Sequence, residues 1–297
     1  MTHSVLLQVV SKNLSRNENN LSRVDRGSKN FNEQVDVSKD VVICGRGICK
    51  NYGERKIIDN VEISIKNGSF ISLIGPSGCG KSTLLRILAN LETMSDGNVW
   101  WWGLDNKILG SPGRRVSMVF QDATLMPWAS VLKNVALPLE LRGEGKKQAY
   151  EAAANALALV KLTGKEEFYP RELSGGMQMR VAIARALVTK PNILFMDEPF
   201  GALDEITRNQ LNEDVLRLQS ELEMTIIFVT HSIQEAVFVS SEILVMKANP
   251  GVVAKKLLIP KPARFWEDSD TYRLSDNYFD AVKNVSHAFK LCYHQES

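Results

Sequence analysis

The chain has 297 residues, is 44% hydrophobic and carries a net charge of +2. That is enough apolar content for a packed core, room for one large α/β domain or two modest ones, and too little charge bias for a dedicated nucleic-acid surface. No apolar run reaches the roughly 18 residues that span a bilayer, and VLLQVV near the start lacks the basic lead-in and cleavage site of a signal peptide. A soluble, intracellular protein is expected, with Cys44, Cys49, Cys79 and Cys292 reduced, because their spacing fits neither a disulfide framework nor a zinc site.

Residues 1–40 are rich in Asn, Ser, Lys and Arg and bury too little to offset their ordering entropy, so a flexible extension is expected there. DVVICGRGICKNYG then reads as a strand ending in a turn, and VEISI alternates as a half-buried strand before the Asn67-Gly68 turn. SFISLIG does not alternate, as suits a strand buried on both faces of a parallel sheet. A helix follows through STLLRILANL. NVALPLELRG and KKQAYEAAANALALVKL have helical apolar spacing and suggest a helical insertion over about 121–190. Next come a strand (NILFMDEP), an amphipathic helix (DEITRNQLNEDVLRLQSEL), a strand (MTIIFVTH) and a helix (SIQEAVFVS). EILVMKANPGVVAKKLLI gives two strands about an Asn-Pro-Gly turn. This alternation predicts an α/β fold with a mostly parallel sheet and helices on its faces. With no internal repeat, it forms one nucleotide-binding unit. The tail, residues 265–297, reads as polar and weakly helical, with no assignable role.

GPSGCGKST (Gly75, Pro76, Ser77, Gly78, Cys79, Gly80, Lys81, Ser82, Thr83) matches the phosphate-binding loop in full, between a buried strand and a helix. Its glycines let consecutive N–H groups turn toward phosphate oxygens at the positive end of a helix. Lys81 can reach the β- and γ-phosphates and the Ser82 hydroxyl can ligate Mg²⁺. Cys79, near that helix start, is expected to have thiolate character and to react with a bulky maleimide unless ATP protects it, though physiologically it reads as a small filler. ILFMDEP delivers Asp197 to the carboxyl end of a buried strand to hold Mg²⁺, commonly through water, and Glu198 follows as the acceptor of a proton from attacking water. These residues make a nucleoside-triphosphate hydrolase site.

A second glycine turn, LSGGM (Leu173 to Met177), has no place in a one-loop site. The series GPSGCGKST, Gln121 in VFQD, LSGGM, DEP, GALD and TH, in that order, resembles the ATP-binding cassette (ABC) ATPases. The resemblance covers about 41–262, within an expected domain of 41–264, and it implies a RecA-like P-loop core, an antiparallel β lobe and an inserted α-helical subdomain. It also implies a head-to-tail dimer, a homodimer being the expectation, with ATP and Mg²⁺ sandwiched twice. Ser174, Gly175 and Gly176 of one subunit then meet the γ-phosphate held by the other. By the same resemblance, Tyr52 stacks on adenine and Gln121 senses Mg²⁺ and the attacking water. Asp204 couples the two sites, and His231 contacts the γ-phosphate. Met177, in place of the commoner Gln, points to the nitrate, sulfonate and taurine importer branch, as do FQDATLMPW and GALDEITR. Gln178 and Met179 depart from that branch's Arg-Gln before Arg180, which weakens inference of the solute.

An importer ATPase of this kind sits peripherally on the cytoplasmic face of the membrane. Its implied partners are a second ATPase subunit, an integral permease and, indirectly, a periplasmic solute-binding protein. Leu125, Met126 and Trp128, just after Gln121, form a candidate apolar patch for the permease, with core packing the competing role, above all for Leu125. Two other classes compete. A soluble cassette acting on DNA or ribosomes is disfavoured, since the chain has one cassette and no zinc or coiled-coil insertion; no nucleic acid is expected as a partner. A small-molecule kinase would make the second glycine motif a coincidence.

Overall fold

The computed structural model of the chain describes residues 40–105, 108–111 and 113–293. All of the expected N-terminal extension except Asp40 lies outside the described residues. The β lobe is an antiparallel sheet in the order β2-β1-β4, formed by β1 (Val41–Tyr52), β2 (Arg55–Lys66) and β4 (Asp96–Trp101). The alternation in VEISI is realised on β2, where Val61, Ile63 and Ile65 are buried and Glu62, Ser64 and Lys66 are exposed.

The second sheet has six strands in the order β5-β6-β7-β3-β8-β9: β5 (Val116–Val119), β6 (Ile193–Asp197), β7 (Thr225–Val229), β3 (Phe70–Ile74), β8 (Glu242–Lys247) and β9 (Val252–Leu258). Neighbours run parallel except β8 and β9, which are antiparallel. Every residue of β3, β6 and β7 is buried. Successive side chains still point to opposite faces. Ile193 and Phe195 join one core with Leu84, Leu85 and Leu88 of α1 (Lys81–Leu88), while Leu194 and Met196 join the other with the helical subdomain. Two covered faces explain why these strands show no polar alternation.

The helical subdomain comprises α2 (Val131–Leu141), α3 (Lys146–Leu159) and α4 (Gly175–Leu187). Ala149, Ala153 and Ala156 are buried along α3, and their small side chains permit a close helix approach. α5 (Glu205–Leu222) and α6 (Ile233–Val239) return the chain to the parallel sheet.

The C-terminal segment is helical, as its sequence suggests, and it also packs into the core, a role the sequence did not assign. It forms α7 (Ser269–Arg273) and the 18-residue α8 (Asp276–Tyr293). Phe265, Tyr272, Tyr278, Val285 and Ala288 are buried. An aromatic chain links it to α6, with centroids 5.4 Å apart for Phe238 and Phe265, 4.5 Å for Phe265 and Tyr272, and 5.5 Å for Tyr272 and Tyr278. The apolar residues are few but fall at helical spacing on one face, so the segment is part of the core despite its polar composition. No helix among the described residues is long and apolar enough to cross a membrane.

Candidate nucleotide site

Neighbouring parallel strands bring the predicted residues to one edge of the sheet. The register pairs Leu73 with Val229, Val229 with Asp197, and Met196 with Val119. The loop from Gly75, His231, the Asp197–Glu198 pair and Gln121 therefore leave the carboxyl ends of four adjacent strands, β3, β7, β6 and β5. That edge is where ligands bind in open α/β sheets.

Gly80 caps α1 in the left-handed conformation, φ 94°, and no side chain caps the helix. An amino end of this kind presents unpaired N–H groups and positive potential to an anion. Buried Lys81 donates from Nζ to the carbonyl oxygens of Gly75 at 3.1 Å and Pro76 at 3.0 Å, so its ammonium lies along the loop. Ser82 Oγ donates to Asp197 Oδ1 at 2.7 Å, and Arg86, one helical turn on, lies 3.7 Å from Asp197 Oδ2. A hydroxyl beside a carboxylate is a hard oxygen pair suited to Mg²⁺. The described residues hold no cluster of three or more His, Cys, Asp or Glu that forms a metal cage. A pair of protein oxygens completed by phosphate and water is how Mg²⁺ is usually held.

Cys79 departs from expectation. Its side chain is 1% exposed, and burial pushes the thiol pKa up against the opposing pull of Lys81 and the loop N–H groups. The expected thiolate character is not supported. The thiol fills space under the loop, where the fold leaves no path for a bulky reagent.

Glu198 has a left-handed backbone, φ 46°, and its N–H donates to Val229 O at 3.0 Å. Such a conformation costs roughly 1–2 kcal/mol in a residue with a Cβ. It turns the carboxylate toward β7, where Oε2 lies 3.3 Å from His231 Nδ1. The His231 side chain is 58% exposed, unlike a satisfied core histidine.

Ser174 caps α4, its Oγ accepting the Met177 N–H at 3.3 Å. Gly176 is buried, and a Cβ there would lie 2.5 Å from Thr207 Cγ2. Asp204 caps α5 by accepting the Thr207 N–H at 3.0 Å, and that hydrogen bond holds its carboxyl below the usual range. The LSGG and GALD turns therefore meet at Thr207, while Gly201 lies against the ring of His231. Gln178, the departure from the family pattern, donates to Pro170 O at 3.0 Å and Leu173 O at 3.2 Å, closing the turn before Ser174. Tyr52 stays at the β1–β2 turn, half exposed, with Lys50 Nζ 4.8 Å from its ring centroid.

The segment after Gln121 is mixed. Leu125 packs against the core, whereas Trp128 is 63% exposed. Asn134, fully buried, accepts the Met126 N–H at 2.7 Å and donates to the carbonyls of Met126, Ala129 and Ser130, each at 3.1 Å, which fixes this loop. The sequence reading missed Asn134 and Thr207. It also missed Arg86, whose i+4 spacing from Ser82 was the available signal. Gly251, read only as part of a turn, backs the phosphate loop. A Cβ on it would lie 2.1 Å from the Cys79 carbonyl oxygen, and its N–H donates to Ile57 O at 2.9 Å. Nothing local in the sequence announces that contact.

Comparison with known proteins agrees with this geometry. Residues 58–201 match the family model described as ABC transporter. The chain is 44% identical over 203 residues to the aliphatic sulfonates import ATP-binding protein SsuB of Bacillus subtilis, covering 68% of this chain and 77% of that protein. It is 44% identical over 216 residues to the taurine import ATP-binding protein TauB of Rhizobium johnstonii, covering 72% and 80%. A solved structure, the dimeric post-hydrolysis state of the ATP-binding cassette MJ0796 bound to ADP and Pi, matches with a TM-score of 0.64 and 31% identity over 74% of this chain and all of that one. With a complete phosphate loop, the DEP strand end and the LSGG helix start on a shared scaffold, this chain belongs to the ABC transporter family as one of its ATP-binding, ATP-hydrolysing cassettes.

Proposed function

We propose that the chain is the energy-coupling ATPase of an importer for a small anion such as nitrate, a sulfonate or taurine. It acts as a head-to-tail homodimer on the cytoplasmic face of the membrane beneath an integral permease, which receives solute from a periplasmic binding protein. The observation that carries this reading is the convergence of Lys81, Ser82, Asp197, Glu198 and His231 at one sheet edge. The LSGG turn sits on a separate helix, α4, available to a second copy. The chain's likeness to sulfonate, taurine and nitrate import subunits supports the small-anion class without ranking its members.

In this reading the N–H groups of Gly78 to Thr83 and the Lys81 ammonium hold the β- and γ-phosphates, and Tyr52 stacks on adenine. Ser82, Asp197 and Gln121 would hold Mg²⁺, which would neutralise phosphate charge. Glu198 accepts a proton from the attacking water. His231, 3.3 Å from Glu198 Oε2, orients that carboxylate and reaches for the γ-phosphate. Ser174, Gly175 and Gly176 donate to the phosphate bound by the partner subunit, and Asp204 joins the two sites through the dimer. The exposed Trp128, on a loop fixed by Asn134, contacts the permease.

Sedimentation of Glu198→Gln tests the assembly. The variant is expected to be monomeric without nucleotide and dimeric with ATP and Mg²⁺, because binding is kept and hydrolysis is blocked. A persistent monomer under saturating ATP and Mg²⁺ overturns the sandwich.

A further inference from the structure

Glu235 is a carboxylate in the first turn of α6, 8% exposed, and the proposed mechanism gives it no contact with substrate. Burying a carboxylate is costly unless its oxygens are hydrogen-bonded, so its partners indicate why it is there. Both oxygens are engaged. Thr230 Oγ1 accepts the Ser232 N–H at 3.0 Å, which directs its own proton to Glu235 Oε2 in a short hydrogen bond. Ser232 Oγ in turn accepts the Glu235 N–H at 3.2 Å. The residues on either side of His231 are thus both fixed by this one side chain and its backbone. On the far side, Asn212 Nδ2 of α5 donates to Glu235 Oε1 at 3.2 Å. One turn earlier on α5, Arg208 donates to Leu203 O at 2.7 Å, and its positive charge opposes the rise that burial gives the Glu235 pKa.

We propose that Glu235 is a positioning residue for hydrolysis: through Thr230 and Ser232 it sets the His231 ring against Glu198, and through Asn212 and α5 it ties that ring to the Leu203–Asp204 turn. The proposal rests on His231 and Glu198 forming the hydrolytic pair. It gives one buried carboxylate the task of keeping two loops in register, the His231 loop and the turn beside the LSGG helix. A misplacement of about 1 Å in such a constellation can cost about 10²-fold in rate.

The test measures kcat, ATP affinity and Tm for Glu235→Ala, Glu235→Gln, Asn212→Ala and His231→Ala, and for each of the first three combined with His231→Ala. Glu235→Ala is expected to lower kcat about 10²-fold while ATP affinity stays at the wild-type value. Glu235→Gln is expected to restore most of the rate, because Asn212 Oδ1, buried without a partner, can accept from the new amide once the Asn212 amide turns over. In the His231→Ala background, neither Glu235→Ala nor Asn212→Ala should lower kcat further, since both act through the missing ring. Losses that multiply would assign Glu235 a merely structural role and overturn the proposal, as would a wild-type kcat in Glu235→Ala. If Glu235→Ala does not fold, the Asn212→Ala cycle decides in the same way. Wild-type turnover in His231→Ala alone would instead sink the reading of His231, a distinct failure.

Discussion

In the proposed mechanism Lys81 serves binding and Glu198 serves chemistry. Lys81 is a buried charge lying along the phosphate loop, so Lys81→Ala should weaken ATP binding. Glu198→Gln keeps shape and hydrogen-bonding reach but removes the base, so kcat should fall about 10²–10⁴-fold with ATP affinity retained. Titrating ATP binding and measuring turnover for both variants under one set of conditions checks the contrast; a near-normal kcat in Glu198→Gln would place the base elsewhere. Cys79 shows what residue-level reading cannot supply. Its position beside a helix start suggested a reactive thiolate, but burial decides the matter, and the folded chain should leave Cys79 unlabelled by a bulky maleimide while unfolding exposes it. Peptide mass analysis of native and denatured samples measures this directly. The position of Asp197, Glu198 and the phosphate loop at strand ends was legible because the pattern lies within neighbours in sequence.

Elements were legible wherever the period was strong. β2 alternates, β3, β6 and β7 are apolar at most positions and buried along their whole length, and each appears where the sequence put it. The packing of the C-terminal helix was not legible, because its polar face dominates its composition and its apolar side chains show their purpose only against Phe238 and Tyr272. Phe265→Ala should destabilise the fold by about 3–5 kcal/mol, the usual cost of deleting a buried aromatic ring. A lowered Tm with unchanged ATP affinity is the expected result; an unchanged Tm would mean the tail packs too loosely to matter. Gly251 acts at the same scale. Gly251→Ala drives a methyl into the Cys79 carbonyl and should weaken ATP affinity, which an ATP titration of the variant would reveal.

For the whole molecule, the consequential fact is that four strands from distant parts of the chain end side by side. If the exposed Trp128 contacts a permease, Trp128→Ala should abolish co-purification with that permease from detergent while leaving ATPase activity of the isolated chain intact. Retained co-purification would move the contact elsewhere on the surface. The sequence by itself determined the family, the phosphate loop, the Asp197–Glu198 pair and the buried strands, because each depends on spacing or composition within a few residues. The tertiary structure alone decided that Gly251 supports the loop, that Thr207 joins the LSGG and GALD turns, and that Glu235 lies between Thr230 and Asn212. It also decided that Cys79 is buried beneath the loop. The reason is physical: burial and close approach are set by which strands pair and which helices cover them, and residues brought together from far along the chain leave no local pattern.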